Sequence, residues 1–357
     1  MSRKNYNGFI IQRGRQQSVL KLFKTLDLPD IYFDFRPSGP LVRIRLFLKL
    51  LITAYELPTG LTIILCEGSL CTMVAFFYKL VVNRRSIIIS YVVDPTFWSK
   101  DSKPNFAFLV RAFLHRKLVR HTVAITEMVK QDAIFHNFCG TSSISVIQLP
   151  SFREVPKYYS SHADRSFSIS NKAKIVYMAD RPADSGYTKG LDIYISIARN
   201  YSLESASKHE FYLIGKGTES YDNLLPNMKG LGHISDISSL FSASDLFVLP
   251  SRYDASSIAL LEAIGYGLMP IVSSRVGYSS LLRQSIVPEY DPVVSSGKVT
   301  EWVAKIDETL ALPTQTKDRL ISSYYSNCKK INFTSATSEF ASLLSGFSTL
   351  SEESHGY

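Results

Sequence analysis

The stretch LFVLPSRYDASSIALLEAIGYG, residues 246–267, sets two carboxylates, Asp254 and Glu262, on either side of an apolar turn with seven residues between them. A strand ending at Pro250, a short loop holding Asp254 and an N-cap at Ser256 or Ser257 predict a helix that starts at Ile258. Free backbone N–H groups at such a helix start, backed by the helix dipole, attract an anion, and small serines let a phosphate come close. Glu262 falls about one turn in, at roughly 1.5 Å of rise per residue. Leu260, Leu261, Ala263 and Ile264 surround it, so its carboxylate needs partners. A pair of ribose hydroxyls would supply two charge-assisted bonds. Alone, the same residues also read as a helix cap followed by a solvated glutamate.

Two cations precede this segment. DRPADSGYTKG, residues 180–190, reads as a loop after the strand KIVYMAD and offers Arg181 and Lys189. They would neutralise a diphosphate whose other side rests on the helix N-terminus, although singly each also reads as a surface cation. Gly215 and Gly217, in LIGKGTE, would let backbone approach a nucleotide.

Positioning such groups requires strand ends beside helix starts. Short β-rich runs alternate with helical patterns from the outset: GFIIQ, DIYFDF, LTIILCEG, SIIISYVVD, TVAITE and ISVIQLP, then KIVYMAD, HEFYLIG, LFVLPS and MPIVSS. Strand, helix, strand implies parallel sheet, hence an α/β fold of two doubly wound domains in tandem. Ligands of such sheets bind beyond the carboxyl ends of the strands. The polar segment 157–172 lacks an apolar period and reads as the linker.

The chain has 357 residues, 45% of them hydrophobic and 20% charged, enough for two cores and too apolar for a disordered protein. Its 40 Lys and Arg against 31 Asp and Glu give a net charge of +9, which points to an anionic partner. The basic residues are dispersed and no nucleic-acid recognition motif accompanies them, so nucleic acid is not the expected partner. Cys66, Cys71, Cys139 and Cys328 lack metal-ligand spacing and read as reduced thiols. The N-terminus lacks a signal-peptide core and no run reaches membrane-spanning length, so the expected location is the cytoplasm. Two basic apolar stretches, 41–57 and 105–121, read either as core helices with basic outer faces or as helices lying on an anionic membrane.

Taken together, YMADRPADSGYTKGLDIYI, EFYLIGKGTE, LGHISDISSLFSASDLFVLPSRYDASSIALLEAIGYG and PIVSSRVGYSSLL resemble the C-terminal domain of the retaining nucleotide-sugar glycosyltransferases of family four. The resemblance implies a GT-B fold, in which two Rossmann-like doubly wound domains face a central cleft. It implies an acceptor-binding domain over 1–160, a nucleotide-sugar domain over 161–334 and a final helix, 335–357, packed back on the first domain. It also implies that Glu262 holds the donor ribose, Asp254 faces the donor sugar, and Arg181 and Lys189 receive the departing diphosphate. Ser256, Ser257 and Ile258 would line the phosphate approach. The expected reaction moves a sugar from a nucleoside diphosphate to the hydroxyl of a glycan or lipid-linked glycan in cell-envelope polysaccharide synthesis, without metal or cofactor.

The sequence departs from the family pattern at named positions. Asp254 replaces the usual Glu, Ser256 and Ser257 stand where an aromatic residue and Gly are usual, and Arg181 and Lys189 lie further apart than usual. Gly14, beside Arg15, replaces a glycine cluster, and Val93 rather than His precedes Asp94. Gly14, Arg15 and Asp94 are therefore expected on a specialised acceptor side. The family role of the missing His passes to neither His115 nor His121, which read as surface or structural residues. A catalytically silent nucleotide-sugar-binding subunit, or an epimerase or hydrolase on the same scaffold, are the alternatives.

Overall fold

Parallel strands covered on both faces need near-continuous apolar runs, and GFIIQ, IILCE and IIISYV supply them; every residue of the first two is buried. A computed structural model describes residues 8–12, 17–33, 42–93, 97, 106–150, 172–179, 182–202, 208–284, 290–295 and 297–353. The chain divides into two compact units, Met1–Phe152 with Ile331–Tyr357, and Arg153–Lys330. The segment 157–171, most of the expected linker, lies outside the described residues.

The first unit runs β1 (Gly8–Gln12), α1 (Gln17–Thr25), β2 (Asp30–Tyr32), α2 (Val42–Glu56), β3 (Ile63–Glu67), α3 (Gly68–Val81), β4 (Ile87–Val92), α4 (Phe106–Leu118), β5 (Val119–Ala124), α5 (Glu127–Phe135) and β6 (Ile144–Val146). Its strands pair in parallel in the order β2-β1-β3-β4-β5-β6. Leu50, Ala54 and Leu57 join Val74, Ala75 and Tyr78 of α3 in one apolar cluster against Phe9, Ile11 and Ile64 of the sheet.

The second unit runs β7 (Ala173–Met178), α6 (Pro182–Lys189), α7 (Leu191–Ser202), β8 (His209–Ile214), β9 (Met228–Gly230), α8 (Ser238–Ser242), β10 (Leu246–Leu249), α9 (Ile258–Gly265), β11 (Met269–Ser273), α10 (Ser279–Arg283), β12 (Val293–Val294), α11 (Val299–Ala311) and α12 (Thr314–Lys329). The order β12-β11-β10-β7-β8-β9 is again wholly parallel. Strand order reverses between β7 and β10, so the loops following these two strands diverge at a topological switch point, where doubly wound sheets place their ligands.

The chain ends in α13 (Phe333–Glu353), which packs on the first unit. Tyr91 and Phe340 meet edge to face at 5.1 Å, His121 and Phe347 lie 5.8 Å apart, and the Thr25 and Thr337 hydroxyls are within 3.2 Å.

Two strands and one helix differ from the sequence reading. The edge strands β9 and β12 are three and two residues long, too short to show an apolar period. The segment read as a loop before Lys189 is largely helix, α6. Pro182 occupies its first position, where a missing N–H costs nothing, and Gly190, at φ +72°, follows its last.

Candidate active site

The loop after β10 is fixed by its neighbours on either side. Arg252 and Tyr253 donate their backbone N–H groups to the Thr188 carbonyl at 2.8 and 3.2 Å. Asp254 donates to the Arg275 carbonyl at 3.0 Å and accepts from the Gly277 N–H at 2.8 Å, a single parallel bridge to the loop after β11. Ser273 adds a hydroxyl bond to the Ser251 carbonyl. A Cβ on Gly190 would lie 1.9 Å from the Pro250 carbonyl oxygen, so only glycine permits the α6–α7 turn to come this close to the end of β10.

These contacts bring Lys189 to Asp254. The Lys189 ammonium lies 2.7 Å from Asp254 Oδ2, with the lysine 29% and the aspartate 9% exposed. Beneath them the buried Tyr177 hydroxyl donates to the Lys189 carbonyl at 3.3 Å. Burial pushes the Tyr177 phenol well above its usual range, and the charges of Asp254 and Asp192 push in the same direction, so it stays a donor.

Arg252 forms a second clamp on the same turn. It donates to both Asp192 carboxylate oxygens at 2.7 Å and to the Tyr187 carbonyl at 2.8 Å, with its guanidinium over the Tyr187 ring. The Arg252 bonds hold the Asp192 carboxyl below the usual carboxylate range, and Asp192 in turn raises Arg252. Arg252, Asp192, Tyr177 and Gly190 escaped the sequence reading. Their partners lie up to 65 positions away, so no local spacing marks them.

Immediately beyond Asp254, Ser257 caps α9, its hydroxyl accepting from the Leu260 N–H at 3.4 Å. Ile258 is the first helical residue, and Ser256 precedes the cap, its carbonyl accepting from the Ile258 N–H at 3.0 Å. The helix therefore begins where the sequence places it. Glu262 lies on α9 and is buried, at 8% exposure. Gly215 and Gly217 form the turn after β8, the strand beside β7, at φ +133° and +94°. Only residues with freedom at positive φ hold such a turn without strain.

Other candidate site residues and histidines singled out in the sequence belong to the first unit or lie outside the described residues. Arg181, Gly14, Arg15 and Asp94 lie outside the described residues. His115 is buried in the first unit against Thr122, and His121 bonds Ser145, so both are structural. All four cysteines are free and buried. Among the described residues, no group of three His, Cys, Asp or Glu side chains could hold a metal ion, and no helix is long and apolar enough to cross a membrane.

Residues 173–311 match the family model for glycosyl transferases group 1. Over this span the second unit is similar to the group 1 glycosyl transferases. The matched span contains Lys189, Asp254, α9 and the turn after β8. A glycogen synthase from Fervidobacterium nodosum is 29% identical over 119 residues, which cover 30% of this chain and 23% of that protein. A UDP-Gal:alpha-D-GlcNAc-diphosphoundecaprenol alpha-1,3-galactosyltransferase from Escherichia coli is 30% identical over 149 residues, 38% of this chain and 36% of that protein. The chain thus aligns with well under half the length of either relative.

Solved structures extend the likeness in fold to nearly the whole chain. Anabaena Alr3699/HepE, in complex with UDP and glucose, has a TM-score of 0.68 at 16% identity, covering 96% of this chain and all of that one. Sucrose-phosphate synthase from Thermosynechococcus elongatus has a TM-score of 0.71 at 13% identity, covering 96% and 99%. The chain accordingly has a GT-B fold, with the second unit as its C-terminal domain.

Proposed function

We propose that this protein transfers a glycosyl group from a nucleoside diphosphate sugar to an acceptor hydroxyl, with retention of anomeric configuration. The Lys189–Asp254 pair beside the start of α9, at the switch point of the second sheet, carries this reading. When the bond between the anomeric carbon and the diphosphate oxygen stretches, negative charge grows on the leaving group. Lys189, Arg181 and the positive end of the α9 dipole stabilise that charge more than the ground state, which is what lowers a barrier. An ammonium has three protons to donate, so Lys189 can keep Asp254 and still bond a phosphate oxygen. Asp254 aims the lysine and faces the donor sugar.

Glu262 accepts the ribose hydroxyls, Ser256, Ser257 and Ile258 receive the phosphates, and the turn at Gly215 and Gly217 lies against the nucleotide. A uridine nucleotide is the first donor to test, since Alr3699/HepE binds UDP and the Escherichia coli relative is named for a UDP-sugar. That relative's diphosphoundecaprenol acceptor supports a lipid-linked glycan as acceptor here. The first unit, with Gly14, Arg15 and Asp94, binds the acceptor, and the protein works peripherally at the inner face of the cytoplasmic membrane. With fixed cations meeting the leaving-group charge, the reaction needs no metal.

A thermal-shift panel of UDP-, GDP- and ADP-sugars tests the donor. A true donor at 100 times its Kd adds about 2.7 kcal/mol of stability. Incubating that donor with and without a lipid-linked glycan then separates transfer from hydrolysis or epimerisation. No shift with any sugar nucleotide overturns the proposal; a shift without turnover leaves a silent binding subunit.

A further inference from the structure

Helices α2, α3 and α4 form one layer on the first unit: Phe47 meets Phe77 edge to face at 5.4 Å, and Phe76 meets His115 at 6.4 Å. Each outer helix buries one side and turns a second apolar side outward. On α2, Leu50, Thr53 and Ala54 face the core, while Ile44, Leu48, Ile52 and Tyr55, at spacings of four, four and three, are 51 to 69% exposed. On α4, Phe108, Ala112 and His115 are buried, while Phe106, Leu109, Val110 and Phe113 point out, Phe106 at 81% exposure. A helix at the surface ordinarily turns its polar side to water. Leu80 and Val81, at the end of α3, are also exposed.

Charge is concentrated in the same region. Residues 42–121 hold twelve Lys and Arg against four Asp and Glu, so nearly the whole net charge of +9 resides in this segment. Exposed cations border the apolar sides: Arg45 and Lys49 along α2, Arg84 and Arg85 after α3, and Arg116 and Lys117 at the end of α4. Among the described residues from 42 to 126 the acids are Glu56 and Glu67, and Glu67 is buried.

We propose that the outward sides of α2 and α4 dock this protein on an anionic lipid bilayer, the apolar side chains entering the headgroup boundary and the bordering cations meeting lipid phosphates. A second copy of the chain would bring like charges face to face, and a nucleic acid would offer nothing apolar to Phe106 and Phe113. An anionic bilayer satisfies both features. This surface deepens the membrane-acceptor reading above and rests on it only for its purpose, because lipid binding is measured without donor or turnover.

The test is flotation of the purified full-length chain with vesicles of phosphatidylcholine alone or of equimolar phosphatidylcholine and phosphatidylglycerol. The protein is expected to float with the anionic vesicles, far less with the neutral ones, and less as salt is raised. Ile44→Ser, Ile52→Ser and Phe113→Ser combined should lower partitioning roughly tenfold or more. Lys49→Gln, Arg84→Gln and Lys117→Gln should lower it about fivefold each and leave the core untouched. Leu224→Ser with Leu231→Ser, on exposed residues of the second unit, should float as the wild type does.

Equal flotation with both vesicle types overturns the proposal. So does unchanged flotation of the two variant sets, an equal loss in the second-unit control, or a lipid-free dimer that the serine substitutions dissolve. Failed transfer by a chain that still floats counts against the transferase reading alone.

Discussion

The ammonium of Lys189, the last residue of α6, sits 2.7 Å from the carboxylate of Asp254, 65 positions later in the chain and almost buried. Were Lys189 an isolated surface cation, its removal would leave folding untouched. Paired as it is, Lys189→Ala leaves a nearly buried carboxylate without its cation, and a loss of about 1 to 3 kcal/mol in urea unfolding is expected. Lys189→Ala with Asp254→Ala should recover part of that loss, giving a coupling energy in a double-mutant cycle. Turnover should behave differently. Lys189→Ala is expected to lower kcat/KM by roughly 10² or more, about 2.7 kcal/mol, with no recovery in the double variant. Strict additivity in stability, or near-normal kcat/KM in the single variant, would refute the pairing or the role.

Gly190 joins α6 to α7 at φ +72°, with no room for a Cβ beside the Pro250 carbonyl. The obstruction is backbone, so a rotamer change cannot relieve it. Gly190→Ala should cost on the order of 2 kcal/mol or more and displace Lys189 from Asp254. Donor affinity should fall although Gly190 has no side chain to offer the donor. Wild-type stability and donor affinity in Gly190→Ala would show that the turn and the β10 loop move independently.

Glu262 stands buried on α9, eight residues beyond Asp254. Glu262→Gln keeps the volume and removes the charge, so packing is preserved while the charge assistance to two ribose hydroxyls is lost. Calorimetry should show donor binding weakened roughly tenfold or more, since bonds to a charged group contribute about 1.5 to 3 kcal/mol each. A nucleoside lacking both ribose hydroxyls should bind wild type and variant alike. An unchanged Kd for the full donor would remove Glu262 from the site.

The strand ends and helix starts around this site were legible because their signals are local. LFVLP is an unbroken apolar run, and Ser257 is a capping residue just ahead of another, so β10 and α9 fall where the sequence sets them. Lys189 and Asp254 could be nominated but not joined, because their meeting depends on Thr188, Tyr253 and the bare face of Gly190. Helix α6 was hidden for a related reason: PADSGYTK holds Pro, Asp, Ser and Gly, which in isolation argue for a turn. Tertiary bonds from the β10 loop to its last turn outweigh that preference. Edge strands β9 and β12 gain their conformation from a neighbour rather than from their own five residues in total. The outward sides of α2 and α4 were ambiguous in sequence because a core side and a lipid-facing side are written in the same residues.

Stability should fall on mild acidification because of His115. Its ring is enclosed by Phe76, Phe97 and Phe138, its Nε2 lies 2.9 Å from Thr122 Oγ1, and 3% of the residue is exposed. Burial, followed by the nearby Arg111 charge, pushes its pKa from 6.5 down to about 3. Between these values the unfolded chain binds a proton that the folded chain refuses, so stability is fully present above about pH 6.5 and declines as pH drops towards 3. The slope is about 1.4 kcal/mol per pH unit, or roughly 2 kcal/mol between pH 6.5 and 5. His121 is lowered too, by partial burial and Arg120, and adds a decline of the same sign. His115→Gln retains a group able to bond Thr122 but does not titrate, and it leaves His121 in place. Urea unfolding at pH 7 and pH 5 should therefore show wild type losing about 2 kcal/mol more than His115→Gln over that interval. Parallel losses in the two proteins would mean that His115 is already protonated, or already accessible, in the folded chain.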